Sequence, residues 1–130
     1  MNIFEAMKKG DNILKKKGIK SYKLDSEILM SEVFQKNRID IILNTNKSLS
    51  NKEVLLYNDL IEQRSKKKPI AYLIGKKEFW KYEFDVTKDV LIPRPDTETI
   101  IEQALKLTKN KSRLKILDIG IGSGCILLSI

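Results

Sequence analysis

The sequence predicts an α+β chain: an N-terminal helical bundle, then a β-hairpin linker, then the opening of an open α/β unit. Three observations carry this. Apolar residues recur at helical spacing through the first half of the chain. Trp80-Lys-Tyr82-Glu-Phe84-Asp-Val86 alternates apolar and polar without a fault, as a half-buried strand does. The final stretch runs from an apolar strand, Leu114 to Ile119, through three closely spaced glycines into the first residues of an apolar helix.

Taken in order, Ile3, Phe4, Met7, Gly10 and Leu14 predict a first helix from about Ile3 to Lys17. Leu24, Ile28, Leu29 and Val33 predict a second, opened by the small polar residues Asp25 and Ser26 and closed by Asn37. Arg38 to Leu43 continues the cluster as a short third segment. Ser50-Asn-Lys-Glu53 is a capping box, in which hydroxyl and carboxylate each take the other residue's backbone amide. It opens a helix bearing Val54, Tyr57, Leu60, Ile61 and Arg64, which Pro69 stops. Residues 1–68 thus read as a bundle whose stripes are core, with no catalytic constellation.

The apolar runs Ile70 to Ile74 and Val90 to Ile92 flank the alternating strand, so residues 69–95 read as a hairpin or three-stranded meander. Pro93-Arg94-Pro95 bars a helix at that point, and Asp96 or Thr97 then caps one through Ile100, Ile101, Ala104, Leu105 and Leu107. Residues 96–130 form the third section.

Composition limits the chemistry. A chain of 130 residues holds one domain or a small domain plus part of another. No histidine is present, and the single cysteine, Cys125, excludes an internal disulfide, so metal sites and Ser/His or Cys/His catalysis are poor expectations. No signal-like N-terminus and no run approaching the ~20 apolar residues of a membrane helix is found, so the cytoplasm is expected and a membrane role is not. The net charge of +8 comes from 25 Lys+Arg against 17 Asp+Glu, and 21 of the cations are lysine. Two accounts stand: drift toward Lys, Ile and Asn under AT-rich coding, or a surface for an RNA-bearing partner. No interleaved aromatic and basic stripe supports the second, so direct nucleic-acid binding is not expected.

Asp118-Ile-Gly120-Ile-Gly122-Ser-Gly124 is a turn built so that a ligand can approach bare backbone amides. A phosphate loop would need Gly-Lys-Ser/Thr, and the dinucleotide pattern a small residue where Cys125 stands. A tight strand-to-helix turn serving only close packing also fits these residues.

Leu117-Asp-Ile-Gly-Ile-Gly-Ser-Gly124 resembles the first motif of class I (Rossmann-like α/β) methyltransferases, which bind S-adenosylmethionine. Gly75-Lys-Lys-Glu-Phe79 followed by Leu91-Ile-Pro-Arg-Pro-Asp-Thr-Glu98 resembles the linker of the HemK/PrmC family, the protein-(glutamine-N5) methyltransferases that modify peptide chain release factors. The resemblance implies that 1–68 is a substrate-recognition domain, 69–95 a hairpin linker, and 96–130 the beginning of a methyltransferase domain. It implies cofactor contacts at Asp118, Gly120, Ile121, Gly122, Ser123 and Gly124, and a cleft beside them shaped by Pro93, Arg94 and Pro95. Class 1 release factors, methylated on the glutamine of Gly-Gly-Gln, are the implied partners, and a monomer is expected.

The family's catalytic Asn-Pro-Pro-Tyr motif has no counterpart, since the sequence contains no Asn-Pro at all. The expectation is the N-terminal portion of such an enzyme, inactive alone, with Ile126, Leu127, Leu128 and Ile130 short of parallel neighbours and the last segment loosely held, paired opportunistically or aggregation-prone. Two alternatives stand beside it: a release-factor-binding module without catalysis, and a class I methyltransferase acting on RNA or a small molecule.

Overall fold

The computed structural model describes all 130 residues, which form two units, Met1–Ile74 and Gly75–Ile130. The fold is α+β, helical in the main with one small antiparallel hairpin.

The first unit holds α1 (Ile3–Lys16), α2 (Tyr22–Phe34), α3 (Arg38–Leu43), α4 (Asn51–Ser65) and α5 (Ile70–Ile74). Helix α1 opens on a capping box as well: the Glu5 amide donates to Asn2 Oδ1 at 2.8 Å, and the Asn2 amide to Glu5 Oε2 at 3.0 Å. Its buried stripe is Ile3, Ala6, Gly10 and Leu14, while Phe4 faces solvent. The predicted box on α4 is present, with the Ser50 amide donating to Glu53 Oε2 at 2.7 Å and the Glu53 amide to Ser50 Oγ at 3.3 Å. Asn37 caps α3 through the Asp40 amide at 2.9 Å.

Helices α1 and α4 run side by side in the same direction. Asn2 bridges Ser48 just before both begin, and Gly10 lies against Tyr57 and Ile61. Helix α2 returns antiparallel to α1 after a five-residue link, 17–21. The core gathers Leu14, Ile19, Leu29, Met30, Ile41, Leu60 and Ile61 around Ile3 and Tyr57.

Asp25 and Ser26 do not open α2 as exposed caps; both are buried inside its first turns. Asp25 Oδ2 accepts from Arg64 Nε at 2.7 Å and from Ser21 Oγ at 3.0 Å. The Ser26 hydroxyl shares a 2.7 Å hydrogen bond with the Tyr57 hydroxyl and reaches the Met7 carbonyl at 3.4 Å. A buried polar side chain persists where a partner satisfies it, and here α4 supplies both partners. Leu24, assigned to the core from spacing, is displaced to the surface.

Ile70–Ile74 is helical, not a strand of a meander. A short apolar run fits a buried helix or strand equally well, and tertiary contact decides. The Pro69 carbonyl accepts the amides of Tyr72 and Leu73 at 3.1 and 3.3 Å, and the turn packs on α2 and α4.

The second unit holds β1 (Lys76–Phe79), β2 (Tyr82–Asp85) and α6 (Glu98–Thr108). The strands pair antiparallel, Lys76 opposite Asp85 and Phe79 opposite Tyr82, so the turn is Trp80-Lys81. Phe79, Phe84, Ile101 and Cys125 form a small core, with Trp80, Ile126 and Ile130 packed on it. Ile126 and Ile130 of the last segment thus pack on the hairpin, while Leu128 stays 69% exposed. Neither Asp96 nor Thr97 caps α6 through its side chain; a 3-10 turn, Pro95–Thr97, leads directly into the helix.

Leu114 to Ile119 is not a strand in this structure, because the sole sheet is the two-stranded hairpin. A parallel strand acquires its ladder from neighbours delivered by crossover connections, and the chain presents none to this segment. Leu117 and Ile119 are accordingly 83% and 87% exposed.

Candidate functional site

The glycine loop turns sharply: Gly120, Gly122 and Gly124 have φ of +82°, +55° and +79°, the left-handed region that disfavours any side chain. A methyl group on Gly120 would meet nothing within 4 Å, so the space beside that residue is open as well. The Gly124 amide closes the turn on the Ile121 carbonyl at 2.8 Å. The amides of Gly120, Gly122 and Ser123 donate no hydrogen bond within the chain.

Two polar atoms at this loop are buried and unpartnered, Asp118 Oδ2 and Ser123 Oγ. A buried carboxylate oxygen without a donor costs free energy until water or a ligand supplies one. What the loop offers is therefore a carboxylate acceptor, a hydroxyl and free amides, a set matched to a zwitterion with an ammonium and a carboxylate.

The surroundings of the loop were not legible in the sequence. Ser123, with Leu128, faces β2, and together with Tyr82, Glu83, Phe84 and Asp85 they line an open depression of about 410 Å³. Ile121, the residue between the first two glycines, is exposed.

Pro93 is buried, whereas Arg94 and Pro95 are exposed, and Arg94 forms no ion pair. The Arg94 carbonyl instead accepts the Thr97 amide at 3.1 Å, starting the 3-10 turn. Glu98 is the residue there whose side chain reaches the hairpin. Its Oε1 accepts the Trp80 amide at 2.7 Å, tying the start of α6 to the hairpin turn. Trp80 has φ +57°, a conformation a bulky residue adopts at a cost, so the carboxylate holds the turn against its own preference.

The chain is α+β, and its first unit, Met1–Ile74, is helical. The chain belongs to the PrmC family: the model of the PrmC N-terminal domain matches residues 5–75. Proteins named release factor glutamine methyltransferase resemble it over nearly its whole length. That of Clostridium botulinum is 40% identical over 121 residues, 93% of this chain and 43% of the relative. That of Leptospira interrogans is 39% identical over 130 residues, 99% of this chain and 46% of the relative. That of Buchnera aphidicola subsp. Baizongia pistaciae is 45% identical over 115 residues, 88% and 42%. The chain spans less than half the length of these relatives. No helix is long and apolar enough to cross a membrane.

Proposed function

We propose that this chain supplies the recognition domain and the first cofactor contacts of an S-adenosylmethionine-dependent methyltransferase that modifies a release factor glutamine, the residue of its Gly-Gly-Gln sequence. The observation that carries the reading is identity of 39–45% to release factor glutamine methyltransferases across both units. With the Leptospira interrogans relative the match runs over 99% of the chain, the glycine loop as well as the bundle, which supports the cofactor end of the reading too.

S-adenosylmethionine, when bound, supplies an electrophilic methyl group on a sulfonium. This chain's residues hold its methionine end. Asp118 would take the ammonium, and the free amides of Gly122 and Ser123 would take the carboxylate. Gly120, Gly122 and Gly124 keep that backbone bare, and Ile121, exposed between the first two, would lie along the bound cofactor. Pro93, Arg94 and Pro95 shape the approach, with Pro93 as the buried anchor. The Met1–Ile74 bundle docks the release factor, which locates the protein with translation termination in the cytoplasm.

A chimera tests this. Residues 1–130 replace the matched region of the Clostridium botulinum relative, and transfer of labelled methyl to a release factor is measured. Labelling of the Gly-Gly-Gln glutamine is expected, and Asp118→Ala should weaken cofactor binding while the fold persists. A folded chimera that binds S-adenosylmethionine yet labels RNA, or labels nothing, overturns the reading.

A further inference from the structure

The net charge of the first unit is not spread over its surface. Segments 15–25 and 62–68 carry nine cations, Lys15, Lys16, Lys17, Lys20, Lys23, Arg64, Lys66, Lys67 and Lys68, against two anions, Asp25 and Glu62. The other residues of Met1–Ile74 carry six cations against seven anions. Codon drift adds lysines without regard to position and would not concentrate the whole excess in two short segments.

The fold brings these segments to one end. Because α1 and α4 run parallel, Lys15–Lys17 and Lys66–Lys68 leave the bundle together, and the 17–21 link and the first turn of α2 lie beside them. The Asp25–Arg64 pair joins the first turn of α2 to the last of α4, and Lys15 Nζ sits 5.8 Å from the Tyr22 ring centroid. Both anions are already engaged, Asp25 by Arg64 and Glu62 by Lys66 at 2.7 Å. The eight lysines are all exposed.

Helix stability explains part of this set only. Lysines at the ends of α1 and α4 complement the negative ends of those dipoles, but Lys20 and Lys23 flank the N-terminus of α2, where a cation is disfavoured. Their placement therefore points outward, to a partner. Ile13 and Leu24, 45% and 43% exposed, stand at the same end. A phosphate backbone makes no use of exposed aliphatic side chains, and no free arginine is present there to read a base.

We propose that this lysine-rich end of the bundle is a docking surface for an acidic protein face, carboxylates meeting the lysines and apolar side chains meeting Ile13 and Leu24. The proposal rests on the bundle being the recognition domain and names the surface by which it recognises. Charge of this kind steers encounter and makes binding steeply dependent on salt.

The test uses the whole chain and two fluorescent probes of equal charge, an acidic peptide with interspersed leucines and a duplex RNA, followed by anisotropy. The peptide should bind more tightly, and more weakly as salt rises. Joint replacement Lys16→Glu, Lys20→Glu and Lys67→Glu should weaken it by about tenfold or more. The same charge change at Lys8, Lys36 and Lys52 should matter far less. Glutamine at Lys16, Lys20 and Lys67 gives an intermediate loss and keeps the test valid if charge reversal unfolds the bundle. Equal weakening by both sets, or tighter binding of the RNA, overturns the proposal. Neither outcome touches methyl transfer by the chimera, so the two readings fail separately.

Discussion

Replacing Gly10 with alanine should destabilise the bundle although alanine is the better helix former. Glycine within a helix costs about 1 kcal/mol relative to alanine, so an unconstrained site would gain that amount. At Gly10 the added methyl would lie 2.5 Å from Tyr57 Oη, 2.9 Å from Ile61 Cδ1 and 3.2 Å from Tyr57 Cζ. The tyrosine cannot swing aside, since its ring is buried and its hydroxyl is tied to Ser26 at 2.7 Å. Overpacking of this kind costs about 1–3 kcal/mol, and disrupting the hydroxyl pair about 1 more. After the helical gain, a net loss of about 1–3 kcal/mol is expected, read as a lower urea midpoint by circular dichroism. Tyr57→Phe alone should cost about 1–2 kcal/mol, because it leaves Ser26 with only its long contact to Met7. The double variant removes the atom nearest the new methyl, so it should be less destabilised than the sum of the singles by about 1 kcal/mol. A Gly10→Ala protein as stable as the parent, or a strictly additive double variant, would refute the close-approach argument.

Two further outcomes follow from the hydrogen bonds described above. Trp80 is the single tryptophan, so its emission reports the hairpin turn, and Glu98→Ala should shift it to the red and speed exchange of the Trp80 amide. Glu98→Gln retains a carbonyl acceptor and should preserve most of both signals; unchanged emission in the alanine variant would remove the latch. Stability should also fall toward both pH extremes. Burial raises the Tyr57 hydroxyl above its usual value, opposed by its Ser26 hydrogen bond and reinforced by the Asp11 carboxylate. That contribution is full below the ordinary tyrosine range near ~10 and is lost as pH rises through the folded value. The Ser50 hydroxyl and amide, with Lys47, hold the Glu53 carboxyl below its ordinary value, opposed by slight desolvation. Its contribution is present above the unfolded value and lost as pH falls through the folded one. Thermal melting across pH should show the alkaline limb flattened in Tyr57→Phe and the acid limb in Glu53→Gln; limbs unmoved by these changes would exclude the two groups.

The helix ends of the bundle were legible because their signals are local. Ser50 and Glu53 lie one helical turn apart and satisfy each other's amides whatever surrounds them, and the stripe Ile3, Gly10, Leu14 needs only periodicity. Asp25 and Ser26 were misjudged because their partners, Arg64 and Tyr57, lie 39 and 31 residues away. Spacing reports which face a residue shares, and a polar residue on the buried face reads as a cap until its distant partner is known. Ile70–Ile74 failed for the related reason that an apolar run carries no period of its own.

The site divides in the same way. Asp118 and the three glycines are candidates from type and spacing alone, and the positive φ values at the glycines follow from their missing side chains. The burial of the Asp118 and Ser123 oxygens, the β2 wall opposite Ser123, and the Glu98 tie to Trp80 depended on the chain folding back. By itself the sequence determined the family, the bundle's helix starts and the amount of net charge, because each is carried by residue identity at short range. Only the tertiary structure decided where that charge stands. The parallel course of α1 and α4 turns two separate lysine runs into one surface, and direction of packing is a property of long-range contacts.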